Sequence, residues 1–533
     1  MTTIAPYRSP AAPGKNGFRQ ALHAELTKFR TVRGWIIGAL VGVLAMAGVG
    51  LLASAGGTSA CQQAGAGAQG QQSSGGCAHG ISFVLGPNGE PVSDSFYFVG
   101  QPLAGDGSVT VRVTSLTGLI PSNSTGNNVP GIAEWAKAGL ILKENLSQGS
   151  AYAAITVAAD HGVRFQWNYT GDTAGLPGTV GPANPRWLRL TRSGDVITGY
   201  DSADGTHWSQ VGEVTLAGLR PTAQVGLFTT SPDYQQESLN FGGGTSGTGG
   251  GPSQATAAFD HLATSGGWTA GQWTGHYVGT PEVSGVVGYH ESGGQFTLTG
   301  EGDIAPVPAG HGGPADAAAT VSDYLIGTFV GLLAVVVVAA LFVTAEYRRG
   351  LIRMTFAATP SRGRVLAAKA VVVGAAGFIA GLLGAGIAVL TGEAITRARG
   401  FYAFPVSGLT EARVIVGTAL IAAFASVLAL AIATIVRRSA ATVAIVIVVI
   451  VLPYFFAEAS VLPLSAVDWL LRVMPAAGFA LQQVYPAYHQ VSMIYAPFSG
   501  YFPLAPWAGL AVLAAWTAAA LALAAYLLHR RDA

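Results

Sequence analysis

Six stretches of this chain run for about 20 residues without a charged side chain, the length of helix that a hydrocarbon core of about 30 Å requires. They cover residues 35–54, 324–345, 370–392, 414–436, 440–457 and 507–528. Runs such as 335–338 and 445–451 would suit a central parallel strand in a soluble protein, but the segments holding them are too long for that. Only 10% of the residues are charged, which fits six spans and is far below the roughly 25% of soluble domains. The 73 glycines follow no Gly-X-Y period, which excludes collagen. A net charge of +1 supplies no general field for nucleic acid, so no nucleic-acid partner is expected.

The basic residues then orient the chain. Lys15, Arg19, Lys28, Arg30 and Arg33 precede the first run. Arg348, Arg349, Arg353, Arg362, Arg364 and Lys369 lie between the second and third, Arg437 and Arg438 between the fourth and fifth, and Arg530 and Arg531 at the end. All four groups fall on one side, which is expected to be the cytoplasm and to hold both termini. The other side has Arg397, Arg399, Arg413 and Arg472, together with the long segment 56–322, whose length exempts it from the charge rule. With 23 arginines to five lysines and abundant alanine, the chain reads as the product of a GC-rich bacterial genome, located in the plasma membrane. The sequons at Asn145 and Asn168 are then unused.

The external segment opens with a Gly, Gln, Ser and Ala tether, 56–80, that holds the only cysteines, Cys61 and Cys77. Outside the cell these are expected to form a disulfide, contributing about 3 kcal/mol on the chain-entropy model. Cys77 with His79 gives too few ligands for a metal site, and none is expected. From residue 81 onward, short alternating runs separated by Gly, Asp and Asn predict an all-β sandwich: 109–113, 138–143, 153–157, 163–167 and 187–192, with a hairpin turn at Asp204-Gly205. Trp135-Ala136-Lys137-Ala138-Gly139-Leu140, Val163-Arg164-Phe165-Gln166-Trp167 and Trp187-Leu188-Arg189-Leu190-Thr191-Arg192-Ser193-Gly194, continuing through Gly199-Tyr200 and Trp208, resemble the concanavalin-like lectin/glucanase sandwich over 81–265. Ala257-Ala258-Phe259-Asp260-His261-Leu262 resembles that fold's closing strand, set off by a Gly/Ser/Thr linker at 242–253. Residues 266–304 read as a β-rich extension and 305–319 as a stalk.

Sandwich folds carry many functions. Asp172, Asp195, Asp201, Asp204 and Glu213 are read as turn residues in preference to paired glycosidase carboxylates. Trp135, Trp167, Trp187 and Trp208 are read as core aromatics, the alternative being a sugar-binding platform.

As drawn, the six spans contain no ionisable residue, which argues against a proton relay or ion-coupled carrier and leaves the energy source outside the chain. Phe18, Leu22, Leu26 and Phe29 share one helical face with Arg19, Lys28 and Arg30 around it, an amphipathic helix suited to the inner membrane surface. After the second span the chain reads Thr344-Ala345-Glu346-Tyr347-Arg348-Arg349-Gly350-Leu351-Ile352-Arg353-Met354-Thr355, then Ala358-Thr359-Pro360-Ser361-Arg362-Gly363-Arg364-Val365-Leu366-Ala367-Ala368-Lys369. Together with Leu22-His23-Ala24-Glu25-Leu26-Thr27-Lys28-Phe29-Arg30-Thr31-Val32-Arg33, these stretches resemble the type-2 ABC exporter permease family. That resemblance implies an interfacial N-terminal helix, and a coupling helix within 346–369 that docks a separate ATPase subunit. It assigns docking to Glu346, Arg349, Gly350, Arg353, Pro360, Arg362 and Arg364. It also implies a homodimer or heterodimer of permease chains, with ATP and magnesium bound by the partner and no cofactor bound here. No Gly-x-x-x-x-Gly-Lys-Ser/Thr is present, since Gly14-Lys15 is followed by Asn16. Gly38 with Gly42 and Gly377 with Gly381 allow close helix approach, within the chain or between chains. Residues 461–504 resemble the family's short re-entrant outer helices, and Pro453 is expected to kink the fifth span.

The sequence therefore predicts a multi-domain membrane protein. It comprises an N-terminal segment (1–34), a first span (35–55), the tether, the sandwich (81–265), the extension and stalk (266–322), and spans two to six (323–533). Its expected function is that of an exporter permease; a membrane-anchored glycan-binding or sensing protein is the alternative, and an external glycosidase ranks third. Ala53-Ser54-Ala55 also fits a signal-peptidase site, but the apolar run is longer than a usual signal sequence, so the first span is expected to stay. Mass spectrometry of the purified N-terminus should find residues ahead of Trp35; a start near Gly56 would leave five spans.

Overall fold

A computed structural model describes residues 17–67, 83–122, 128–239, 245–268, 271–281, 287–308, 318–358, 361–399, 402–459, 461–493 and 495–530. The chain divides into two compact units: Met1–His79, Ala319–Val484 and Ala496–Ala533 form one, and Gly80–Ala318 with Tyr485–Tyr495 the other.

The first unit is helical. Its helices are α1 (Phe18–Thr31), α2 (Arg33–Gly67), α3 (Thr328–Arg348), α4 (Leu351–Ala358), α5 (Arg362–Ala398), α6 (Gly408–Val436), α7 (Ser439–Val446), α8 (Leu452–Glu458), α9 (Leu464–Val473) and α10 (Pro506–Arg530). Six helical stretches among the described residues are long and apolar enough to cross a membrane: Arg33–Leu52, Asp323–Arg348, Arg362–Ala398, Gly408–Val436, Ser439–Ala457 and Pro506–Arg530. Each overlaps one of the six runs read from the sequence, and Arg362–Ala398 extends well beyond 370–392 at both ends. Helix α2 continues to Gly67, so the first part of the expected tether is helical, in keeping with its alanines. The Cys61 side chain and Cys77 lie outside the described residues, and the expected disulfide with them. Gly38 packs on Val338 and Gly42 on Gly331, while Gly377 and Gly381 pack on Ala422, Ser426 and Ala419. Both small-residue pairs therefore serve close packing within this chain. Pro453 follows a π-helical turn, Ile447–Val451, which widens the helix where the Pro453 ring cannot donate to Val449. In the 461–504 region α9 meets a 3₁₀ helix, Pro475–Gln482, at a bend of 99°, as a re-entrant pair would.

The second unit is built on a large antiparallel sheet. Its long strand, Phe96–Pro121, pairs through its first half with Thr222–Thr230 and through its second half with Arg186–Ser193 and Gln254–Trp268. From Thr222–Thr230 the order continues through Lys137–Lys143, Tyr152–Ala158, Gly162–Trp167 and Gly171–Ala174; from Arg186–Ser193 it continues through Val196–Ser202 and Ser209–Thr215. The two wings fold over a common core. A methyl group on Gly199 would come within 2.4 Å of the Phe165 ring, and one on Gly212 within 2.6 Å, so opposite ends of the strand order face each other.

All the strands expected from alternation form, and Asp204-Gly205 lies in the loop joining Val196–Ser202 to Ser209–Thr215, with Gly205 at φ +78°. Three expectations are corrected. Lys137–Lys143 and Tyr152–Ala158 are buried along their whole length, because a second apolar layer with Phe96, Phe98, Phe228 and Ile304 covers their other face. The extension is part of the same sheet: Thr274–Val278 pairs with the long strand and Gln295–Gly300 with Gln254–Trp268, so no boundary falls at residue 265. Within the Gly-rich linker, Thr245–Gly251 pairs as a strand with Tyr234–Leu239, since glycine retains its backbone hydrogen-bonding groups.

Burial on both faces encloses two lysines. Lys143 Nζ donates to Asp94 Oδ2 at 2.7 Å with both side chains fully buried, and the Tyr169 hydroxyl donates to the same oxygen at 2.8 Å. Burial lowers the Lys143 pKa, although the Asp94 carboxylate opposes that shift. Lys137 Nζ reaches the Ile304 carbonyl at 2.8 Å and Asp303 at 3.2 Å. The segment Tyr485–Tyr495 joins this unit through buried Gln490, whose amide donates to the Tyr169 and Thr170 carbonyls at 3.1 and 3.2 Å. Asp94→Asn in the full chain should cost about 3–5 kcal/mol by stranding the Lys143 ammonium. Adding Lys143→Met should recover part of the loss, as read by denaturant unfolding.

Candidate functional site at the arginine-rich end of the helical unit

Glu25 is the only acid in the first 89 residues, and Glu346 the only one between Asp323 and Glu393. Each is surrounded in sequence by bases. The fold brings them together. Glu25, on the inward face of α1, accepts from Lys28 Nζ at 2.8 Å and from Lys369 Nζ, at the start of α5, at 2.7 Å. Glu346, near the end of α3, accepts from Lys369 at 2.8 Å and from Lys28 at 3.1 Å through the same oxygen. The four groups form an electroneutral ring. The side chains of Glu25, Glu346 and Lys369 are at most 8% exposed, and that of Lys28 is 36% exposed.

Burial works against the Lys28 charge, but its bonds to Glu25 and the field of Glu346 outweigh burial and hold its pKa above the ordinary lysine value. Lys369 also sits 4.8 Å from the centre of the Phe342 ring, a favourable cation–π contact in a dry site. Around the ring of charges, Phe29, Trp35 and Phe342 pack with centroids 4.8 to 6.1 Å apart.

This geometry changes the reading of α1. Of its four expected interfacial residues, Phe29 is buried and Leu22 packs against the helical core, while Phe18 and Leu26 are about two-fifths exposed. Glu25, 2% exposed, borders that face and turns into the protein beside Phe29. Lys369 gave no warning in the sequence, since it reads as one more base of a positive-inside loop.

The expected docking residues separate into two groups. Glu346 is buried and committed to Lys28 and Lys369, so it holds the loop rather than presenting itself to a partner; this corrects its assignment. Arg362 donates to the Leu528 carbonyl at 2.7 Å near the end of α10 and lies 5.5 Å over the Phe356 ring, which makes it a brace between helices. Pro360 lies outside the described residues. Arg349, Gly350, Arg353 and Arg364 are exposed. Gly350 has φ +67° and ends α3 by turning the chain into α4, a backbone conformation that favours glycine. Helix α4 buries Ile352 against the core and turns Leu351 (43% exposed) and Met354 (71%) outward beside Arg353. Nearby, the Arg437 guanidinium lies 5.0 Å over the Tyr347 ring. The result is a short helix with an exposed apolar and basic face, mounted on three helices that the charge ring ties together.

In the β unit the four tryptophans do not share one surface role. Trp135 is buried and stacked on His161 at 3.8 Å, and Trp167 packs beside Phe165. Trp187 and Trp208 are half-buried, with Arg112 5.6 Å over the first ring and Arg189 3.9 Å over the second. The suspected carboxylates have local duties. Asp172 pairs with Arg164, Asp195 accepts from Gly218 N, Asp201 is buried and accepts from Leu176 N, and Glu213 accepts from Thr198. Asp204 caps its turn through the backbone of His207 and Thr206 and the His207 ring, which holds its carboxyl well below the usual range. Among the described residues no group of three or more His, Cys, Asp or Glu side chains could hold a metal.

No family model and no curated protein matches the sequence. Solved structures give weak likenesses. A functionally unknown protein from Saccharomyces cerevisiae aligns at 15% identity over 35% of this chain and 83% of its own, with a TM-score of 0.21. Scytalido-glutamic peptidase with a transition state analog inhibitor aligns at 10% identity over 40% of this chain and 100% of its own, with a TM-score of 0.23. The GH43 BlXynB protein from Bacillus licheniformis aligns at 16% identity over 32% of this chain and 27% of its own, with a TM-score of 0.18. At such scores none carries an argument about fold or function.

Lys369→Met should leave two buried carboxylates facing a single lysine and cost about 3–5 kcal/mol. In thermal unfolding of the purified full chain, the charge exchange Glu25→Lys with Lys369→Glu should be milder than either change alone. Gly350→Ala should cost about 1 kcal/mol through its left-handed backbone.

Proposed function

We propose that the chain is the permease subunit of an ABC exporter, moving a substrate outward across a bacterial plasma membrane while a separate subunit binds ATP and magnesium and hydrolyses the nucleotide. One observation carries the reading. The helix that sequence resemblance marks as the coupling helix, α4, is short, exposes Leu351, Arg353 and Met354, and stands on the charge-locked ends of α1, α3 and α5. A docking helix needs both properties: a face for the motor subunit to cover, and a stiff mount through which the motor's movement reaches the long helices.

The six helices of spanning length, with basic residues gathered at one end, support a multi-pass protein with both termini in the cytoplasm. In that topology the β unit is outside the cell, where its two-layered form is consistent with a concanavalin-like sandwich. Permeases of this kind work in pairs, so a second permease chain, identical or related, completes the conduit. The glycan-binding alternative has less support, because Trp135 is internal and Arg189 already covers the Trp208 face on which a sugar would stack.

Leu351→Glu with Met354→Asp places two acids on the exposed apolar face of α4. It should abolish co-purification of a co-expressed nucleotide-binding subunit while leaving the melting temperature of the permease within about 2 °C, as befits surface substitutions. Undiminished co-purification would overturn the docking assignment.

A further inference from the structure

At the opposite end of α3 from the charge ring lies a cavity of about 480 Å³, within the size range of small-molecule sites. Its polar groups gather at one end. Asp323, exposed just ahead of α3, accepts the Thr320 backbone N–H at 2.7 Å and the Thr320 hydroxyl at 2.9 Å, both through Oδ2. Beside it the Gln482 amide is engaged by Thr328 and Thr418, each at 3.1 Å, and the Ser322 hydroxyl donates to the Gln482 carbonyl. Both Thr320 bonds to Asp323 fall on Oδ2, which leaves Oδ1 with acceptor capacity.

Toward α3 and α8 the wall becomes apolar: Phe329 and Val330 from the first, Tyr454 and Phe455 from the second. Phe329 and Tyr454 pack at 4.3 Å between centroids, with Phe479 4.5 Å from Tyr454. Val330 and Phe455 are 43% and 58% exposed, so the apolar part opens sideways between α3 and α8. Val451, the last residue of the π-helical turn, also lines this part, and such turns recur at functional sites. A carboxylate at one end and an aromatic trough at the other match a molecule with the same asymmetry.

We propose that this cavity binds a single-chain amphipath, its cationic or hydrogen-bond-donating head at Asp323 and its hydrocarbon chain along Phe329, Tyr454 and Phe455. Such a molecule could be a component of the bilayer or the exported cargo; only the cargo source rests on the exporter reading.

The test uses the full chain in lipid nanodiscs and a hexadecylamine bearing a diazirine and a terminal alkyne, compared with the corresponding palmitic acid. The amine should label peptides containing Phe329–Val330 and Tyr454–Phe455 in preference to the acid. Val330→Trp, which fills the trough, should lower labelling at least tenfold, about 1.4 kcal/mol in binding. Leu341→Trp, on an exposed face of α3 away from the cavity, controls for folding and should change nothing. Asp323→Asn should abolish the preference for amine over acid. Labelling spread evenly over the helices, or unmoved by Val330→Trp, would overturn the site. With the nucleotide-binding subunit and ATP present, time-dependent loss of the amine identifies cargo and its retention identifies a bilayer component; both leave the site standing. Failure of the α4 variants would sink the exporter reading without touching this result.

Discussion

Two carboxylates and two lysines, three of the four almost wholly removed from solvent, hold the arginine-rich end of the helical unit together. Burying one such charge alone would cost several kcal/mol, so each is viable only while the others remain in place. The ring therefore couples three helices more strictly than apolar packing could. Apolar side chains can slide past one another at small cost, whereas Lys369 cannot withdraw without leaving its own charge unpaired and Glu25 and Glu346 facing Lys28 alone. Helix α1 is thereby fixed against α3 and α5, and α4, joined to α3 by the turn at Gly350, takes its position from the same assembly.

The β unit meets the same constraint in another form. Its central strands are covered on both faces, and the lysines at the ends of Lys137–Lys143 are enclosed rather than exposed. Asp94 and the Ile304 carbonyl accept their hydrogen bonds, and Asp303 is a further acceptor of the Lys137 charge as an ion pair. Two of these acceptors come from the region that sequence alone set apart as an extension and stalk, which gives a physical reason for its place in the sheet. The strip Tyr485–Tyr495 is a comparable case: Gln490 satisfies carbonyls at a turn where Asn168 and Tyr169 both adopt left-handed backbone.

Some features were legible because they depend on local repetition. A run of uncharged residues needs no partner to declare its length, and alternation along 109–113 or 187–192 declares a strand before its neighbours are known. The Asp204-Gly205 turn belongs to the same class. Others were misread because their meaning depends on distant residues. Glu346 looked like a docking residue when its charge was seen only beside Arg348 and Arg349. Trp187 and Trp208 could not be told from core aromatics or a sugar platform until Arg112 and Arg189 were placed over them.

Sequence by itself determined the number and order of the helices long and apolar enough to span a membrane, the site of the β unit between the first two, and the loop that carries α4. Bilayer thickness, strand pleating and turn stereochemistry all act over a few residues to a few tens of residues, so one chain read in order contains them. Only the tertiary structure decided that Glu25 is a structural charge, that α1 packs on protein, and that a lined cavity opens beside Tyr454. Glu25 and Lys369 are 344 residues apart. Nothing in either neighbourhood specifies the other, because an ion pair is fixed by proximity in space and by the absence of water, and both are products of the completed fold.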